Sequence, residues 1–147
     1  MSLSVGDKAP AIKNGDFSLA SLKGKTVVLF FYPKSDTPGC TQESCDFRDL
    51  EPKFKKKDAV IVGISPDQAE AQEKFATKYG LPYTFVPDAD HSIAEAYGAW
   101  GEKKNYGKTY MGLIRSTFVV DPAGKIAAVY KNVKVAGHAE KVLSELP

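Results

Sequence analysis

Lys25-Thr26-Val27-Val28-Leu29-Phe30-Phe31-Tyr32 is an almost unbroken run of apolar, β-branched and aromatic residues, stopped by Pro33. A strand with one wet face alternates polar and apolar residues. A run without that alternation is covered on both faces, as at the centre of a sheet between helix layers. Ala59-Val60-Ile61-Val62-Gly63-Ile64-Ser65 repeats the pattern. Between the two runs the period changes. From Thr37 onward, Phe47, Leu50 and Phe54 recur at spacings of three and four and so share one helix face. Pro52 lies inside this segment and predicts a kink or an early end.

Further along, residues 68 to 79 form a helix closed by Gly80 and Pro82. Tyr83 to Val86 is a short strand and Ser92 to Tyr97 a short helix. Gly98 to Tyr110, rich in Gly and Lys, reads as a loop leading into a long strand that ends at Ser116-Thr117-Phe118-Val119-Val120. Asp121-Pro122-Ala123-Gly124 is a β-turn, Lys125 to Tyr130 pairs back as a hairpin, and His138 to Leu146 is a last amphipathic helix. This order predicts one α/β domain over residues 1–147, with a mixed central β-sheet flanked by helices. By analogy it is the thioredoxin fold with extra elements.

Composition narrows the function classes. The 147 residues are 43% hydrophobic and 26% charged, as in an ordinary folded domain. A net charge of +2 argues against nucleic acid or an anionic membrane as partner, and runs such as Lys55-Lys56-Lys57 and Lys103-Lys104 read as solvated faces. No apolar stretch approaches the roughly 20 residues that span a bilayer. The opening Met1 to Asp7 has neither a basic start nor an apolar block, which predicts a cytoplasmic protein. Two cysteines are too few for a disulfide scaffold. In a reducing compartment a close pair is either chemistry or two buried thiols.

The surroundings of Cys40 bear on that choice. Thr37-Pro38 is a helix start, with a hydroxyl at the N-cap and proline at the first helical position. Cys40 then stands in the first turn, where free N–H groups and the helix dipole favour thiolate, the reactive form. Gly39 weakens the helix directly before it and suits close approach of another group to the backbone. Loops after the carboxyl ends of strands are also where open α/β sheets bind ligands. Cys45 is five residues on. In an α-helix such Cα atoms lie about 8.7 Å apart, beyond the limit of about 7 Å for a disulfide. A Cys40–Cys45 bond therefore requires the first turns to unwind. Spacing alone leaves Cys45 open between that role and a buried helix residue.

Pro33-x-x-x-Thr37-x-x-Cys40 resembles the active-site signature of the peroxiredoxins. The longer string Tyr32 to Cys45 resembles the bacterioferritin comigratory protein, or peroxiredoxin Q, branch. The similarity continues through Gly63 to Asp67, Tyr97 to Lys103, Tyr106 to Gly112 and Arg115 to Phe118. It implies a thioredoxin-fold enzyme that reduces hydrogen peroxide and organic hydroperoxides. Cys40 would be the peroxidatic and Cys45 the resolving cysteine, with Thr37, Arg115 and Pro33 completing the peroxide pocket. Resolution within one chain would need no second subunit, so a monomer is expected. The disulfide would be recycled by thioredoxin or a similar dithiol, with no bound metal, flavin, haem or nicotinamide. By sequence alone Arg115 is an ordinary surface arginine, and the resemblance is what promotes it. Glu43 either hydrogen-bonds around that arginine or lies exposed on the helix. His91 and His138 read as surface residues without ligand partners.

Two other readings share the fold. A thiol-disulfide oxidoreductase would carry Cys-x-x-Cys rather than four intervening residues. A copper-binding metallochaperone would use two thiolates and a histidine, and belongs outside the cytosol behind a targeting segment.

Overall fold

In chain order, a short antiparallel pair (β1, Lys13–Asn14; β2, Phe17–Ser18) and a 3-10 turn (Leu19–Leu22) lead into β3 (Thr26–Phe31) and the long helix α1 (Pro38–Lys56). Then come β4 (Ala59–Ser65), α2 (Ala69–Tyr79), β5 (Thr84–Pro87) and α3 (Ser92–Tyr97). They are followed by β6 (Trp100–Asn105), β7 (Lys108–Leu113), β8 (Ser116–Val120), β9 (Ile126–Tyr130) and α4 (His138–Ser144). The computed structural model describes residues 3–15 and 17–147.

The central sheet has the order β5-β4-β3-β8-β9. β3 pairs in parallel with β4 and antiparallel with β8, so the sheet is mixed as expected. All six residues of β3 are buried, and they alternate between two cores. Val28, Phe30 and Tyr32 pack with Phe47 and Phe54 of α1, Phe75 of α2 and Val142 of α4. Val27, Leu29 and Phe31 face Ala94 and Tyr97 of α3, with Ile12 and Leu19 from the amino-terminal segment. Gly63 in β4 is required by packing, since a Cβ there would sit 2.7 Å from Cε1 of Phe85 and 3.0 Å from Cζ of Phe30.

Of the kink or early end expected at Pro52, the early end does not occur: the proline lies inside α1 and the helix runs on to Lys56. Phe47 and Phe54 are fully buried on either side of the proline. Their burial, about 1.5–3 kcal/mol each, offsets the about 3 kcal/mol of an interior proline. The expected loop from Gly98 is mostly the β6–β7 hairpin, turning at Tyr106 (φ 53°) and Gly107 (φ 77°). Two successive positive φ values are the type I′ geometry that two-residue hairpins favour. The expected long strand is accordingly two strands, interrupted at Ile114-Arg115. Finally, His138 is not a surface residue. It is buried at the start of α4, its Nε2 is 2.7 Å from Oγ1 of Thr117, and its ring packs against Phe47 and Tyr130.

Candidate active site

The site forms where β3 ends and α1 begins. Thr37 is the N-cap of α1, extended at φ −95° and ψ 157°, and its carbonyl accepts the Thr41 N–H at 2.8 Å. Pro38 and Gly39 follow, which makes Cys40 the third helical residue. The Thr37 hydroxyl does not cap the helix, contrary to expectation. It donates to the Lys34 carbonyl at 2.8 Å, within the loop. No first-turn N–H is taken by that hydroxyl, so these donors stay available for an anion.

Arg115 reaches the same place from the start of the neighbouring strand β8. Its neighbour Ser116 pairs with Phe31 in the antiparallel β8–β3 register, which sets Arg115 beside the end of β3. Nη2 donates to Sγ of the fully buried Cys40 at 3.2 Å, and Nη1 donates to Oε1 of Glu43 at 2.5 Å. Gly39 admits the guanidinium, because a Cβ on it would lie 3.2 Å from Nη2. The close approach inferred from that glycine is thus made by a side chain.

Glu43 takes the buried alternative, with 1% exposure. Its Oε2 has no hydrogen-bond partner among the described residues. Burial pushes its carboxyl up to about 7, with the Arg115 guanidinium pulling the other way. The carboxylate and the Cys40 sulfur hold the Arg115 guanidinium above the usual arginine range against its own burial. Arg115 therefore stays charged throughout.

Cys45 is half-buried, and burial raises its thiol. It lines an open recess of about 280 Å³ with Asp36, Pro38, Thr41, Gln42 and Tyr79. Both thiols are free, and α1 is continuous between them. The helix thus holds them at the spacing that forbids a bond. Pro33 is half-buried in the loop between β3 and α1.

Sequence reasoning overlooked the groups that hold this loop. Asp67, in the turn after β4, accepts from the Ser35 N–H at 2.8 Å, the Ser35 hydroxyl at 2.7 Å and the Ser65 hydroxyl at 2.8 Å, all on Oδ2. Asp36, at φ 63°, accepts from Lys78 Nζ at 2.9 Å and from the Tyr79 hydroxyl at 2.7 Å. On the far side of the cysteine pair, the Tyr83 hydroxyl donates to the Ser44 carbonyl at 2.6 Å, and Arg48 donates to the Tyr79 carbonyl at 2.8 Å. The Ser-Pro-Asp at the carboxyl end of a buried strand, on the same sheet edge as Cys40, was the available signal. Among the described residues no three His, Cys, Asp or Glu side chains are gathered as a metal site would need. His91 stacks on Trp100 at 3.9 Å between ring centroids.

Comparison with known proteins identifies the family. Residues 5–129 match the model of the AhpC/TSA family. Peroxiredoxin Bcp of Bacillus subtilis is 46% identical over 99% of this chain and 96% of its own length. Its Escherichia coli counterpart is 40% identical over 98% and 96%. Among solved structures, a mutant of peroxiredoxin Q from Xylella fastidiosa aligns with a TM-score of 0.89 at 32% identity, covering 99% of this chain and 96% of that one. The bacterioferritin comigratory protein of Xanthomonas campestris, studied for alkyl peroxide reduction, aligns with a TM-score of 0.84 at 40% identity over 87% and 82%. The chain belongs to the AhpC/TSA family of peroxiredoxins, in its bacterioferritin comigratory protein and peroxiredoxin Q branch.

Proposed function

We propose that this chain, a thiol-dependent peroxidase, uses Cys40 as its nucleophile and Cys45 as the thiol that resolves it. The observation that carries this reading is the 3.2 Å contact from Arg115 Nη2 to a sulfur in the first turn of α1. The sulfur anion attacks one oxygen of hydrogen peroxide or an organic hydroperoxide. The O–O bond breaks, sulfur is oxidised to sulfenic acid, and the second oxygen leaves as hydroxide or alkoxide, taking a proton from water. Charge moves from sulfur to the leaving oxygen, within the field of a fixed guanidinium and the first-turn N–H groups. The single proton of the Thr37 hydroxyl is committed to the Lys34 carbonyl, which leaves its oxygen to serve the peroxide as an acceptor. Pro33 adds no N–H that would hold competing water.

Cys45 then attacks the sulfenic sulfur, and water leaves as the disulfide forms. The first turns of α1 must open for this, and the recess bounded by Cys45, Thr41 and Tyr79 gives the moving turn room. A dithiol protein of the thioredoxin type restores both thiols by exchange. Both cysteines lie on one chain, so a monomer suffices, and a reducing cytoplasm suits the cycle.

Peroxide consumption with thioredoxin, thioredoxin reductase and NADPH tests the reading. Cys40→Ser abolishes consumption, and Cys45→Ser consumes one equivalent and stalls. Undiminished turnover by Cys40→Ser would overturn it.

A further inference from the structure

We infer that Asp67 is a positioning residue for the peroxide step, acting through the Lys34–Ser35 peptide on the hydroxyl of Thr37. This rests on the role proposed for Thr37. A peptide unit is planar and rigid, so its N–H and C=O turn together. In this unit the Ser35 N–H donates to Asp67 Oδ2 at 2.8 Å, while the Lys34 C=O accepts from Thr37 Oγ1 at 2.8 Å. The carboxylate at the N–H end of the unit thus fixes the carbonyl to which the hydroxyl proton points at the other end.

The proton inventory around Asp67 leaves little choice of pattern. A serine hydroxyl has one proton. The Ser35 proton goes to Asp67 Oδ2, so Tyr32, 2.9 Å from Ser35 Oγ, must be the donor in that pair. Burial keeps the Tyr32 phenol protonated, since it raises that group above the usual tyrosine range. The Ser65 proton also goes to Oδ2, and Ser65 Oγ accepts in turn from Gln72 Nε2 at 2.8 Å. Gln72 is 2% exposed and also donates to the Val86 carbonyl at 2.9 Å. The carboxylate is therefore oriented by β4 and α2, elements packed in the core, and passes that orientation to the loop.

Without Asp67 the 34–35 peptide is free to rotate, and the loop still keeps its Asp36 bonds to Lys78 and Tyr79. The Thr37 proton then loses a fixed acceptor and competes for the peroxide. Displacing one positioned group in this way lowers the peroxide rate by on the order of 10- to 100-fold.

The test is a double-mutant cycle on the second-order rate of the first peroxide turnover, in reduced protein. Asp67→Ala and Thr37→Val each slow the step, and the double variant is no slower than Thr37→Val alone. Asp67→Asn, which keeps an oxygen acceptor, recovers most of the rate. Reduction of the preformed disulfide by thioredoxin proceeds unchanged in both Asp67 variants, which a general loss of structure would not permit. Additive losses in the double variant, or an Asp67→Ala protein with the normal peroxide rate, would overturn the inference. If Thr37→Val itself has no effect, both the role of Thr37 and the inference resting on it fail. An effect of Thr37→Val without coupling to Asp67 refutes the inference alone.

Discussion

Glu43→Gln makes stability report the burial of one carboxyl. Burial raises Glu43 from 4.5 to about 7 in the folded protein. Between those values the native state holds a proton that the unfolded chain has released, so stability falls as pH rises. The contribution is fully present below pH 4.5 and lost by about pH 7. At about 1.4 kcal/mol per pH unit, the rise from 4.5 to about 7 amounts to about 3 kcal/mol. His138 works in the opposite sense: burial lowers it from 6.5 to about 4, so its contribution is lost as pH falls through that window. A raw stability curve would mix the two. The difference between wild type and Glu43→Gln isolates the carboxyl, because glutamine keeps the shape and an acceptor for Arg115. Urea unfolding of both reduced proteins, in steps from pH 4.5 to about 7, should show wild type losing about 3 kcal/mol relative to the variant. A pH-independent difference would refute the reasoning. A change of opposite sign would mean that attraction to Arg115 outweighs burial. Glu43 lies in the stretch that must open to join the cysteines, so the same sign applies there, and opening becomes easier as pH approaches neutrality.

Gly39→Ala should separate helix stability from chemistry. Alanine strengthens the helix by about 0.5–1 kcal/mol, but its Cβ at 3.2 Å from Nη2 displaces the guanidinium. Stopped-flow peroxide reduction should slow on the order of 10- to 100-fold while the urea midpoint does not fall; an unchanged rate contradicts the proposed fit. Gly63→Ala forces a Cβ against Phe85 and Phe30 and should destabilise by about 1–3 kcal/mol, measured by urea unfolding. Thr117→Val leaves the buried His138 Nε2 without its partner and should lose about 1–3 kcal/mol in the same assay. Tyr83→Phe frees the Ser44 carbonyl at the far edge of the opening stretch. Amide exchange across residues 38–46 of the reduced protein should quicken, and equal protection would show that this contact does not restrain opening.

The parts of the fold carried by local pattern were readable. Thr26 to Phe31 is buried throughout and Phe47 and Phe54 share the inner face of α1, as their spacing required. The hairpin was not readable, because its cross-strand pairs, Glu102 with Met111, Lys103 with Tyr110 and Lys104 with Thr109, bury no repeating apolar face. His138 gave no local sign of burial, since Phe47 and Tyr130 come to it from distant elements. The same limit applies at the site. Thr37, Pro38, Gly39 and Cys40 announce a helix start with a thiol in its first turn. The approach of Arg115 depends on a long-range register between β3 and β8, and only family resemblance singled it out. The cap was read from residue type, and the hydroxyl instead chose the Lys34 carbonyl, which competes for it within the same loop.

Chemical trapping of the oxidised sulfur tests the assignment of Cys40 and Cys45 most directly. Reduced protein is treated with one equivalent of peroxide in the presence of a sulfenic-acid trap, digested and mapped by mass spectrometry. Cys45→Ser should carry the adduct on Cys40, wild type should instead contain a Cys40–Cys45 disulfide within one chain, and Cys40→Ser should carry no adduct. An adduct on Cys45 in a Cys40→Ser protein that still consumes peroxide would contradict the assignment.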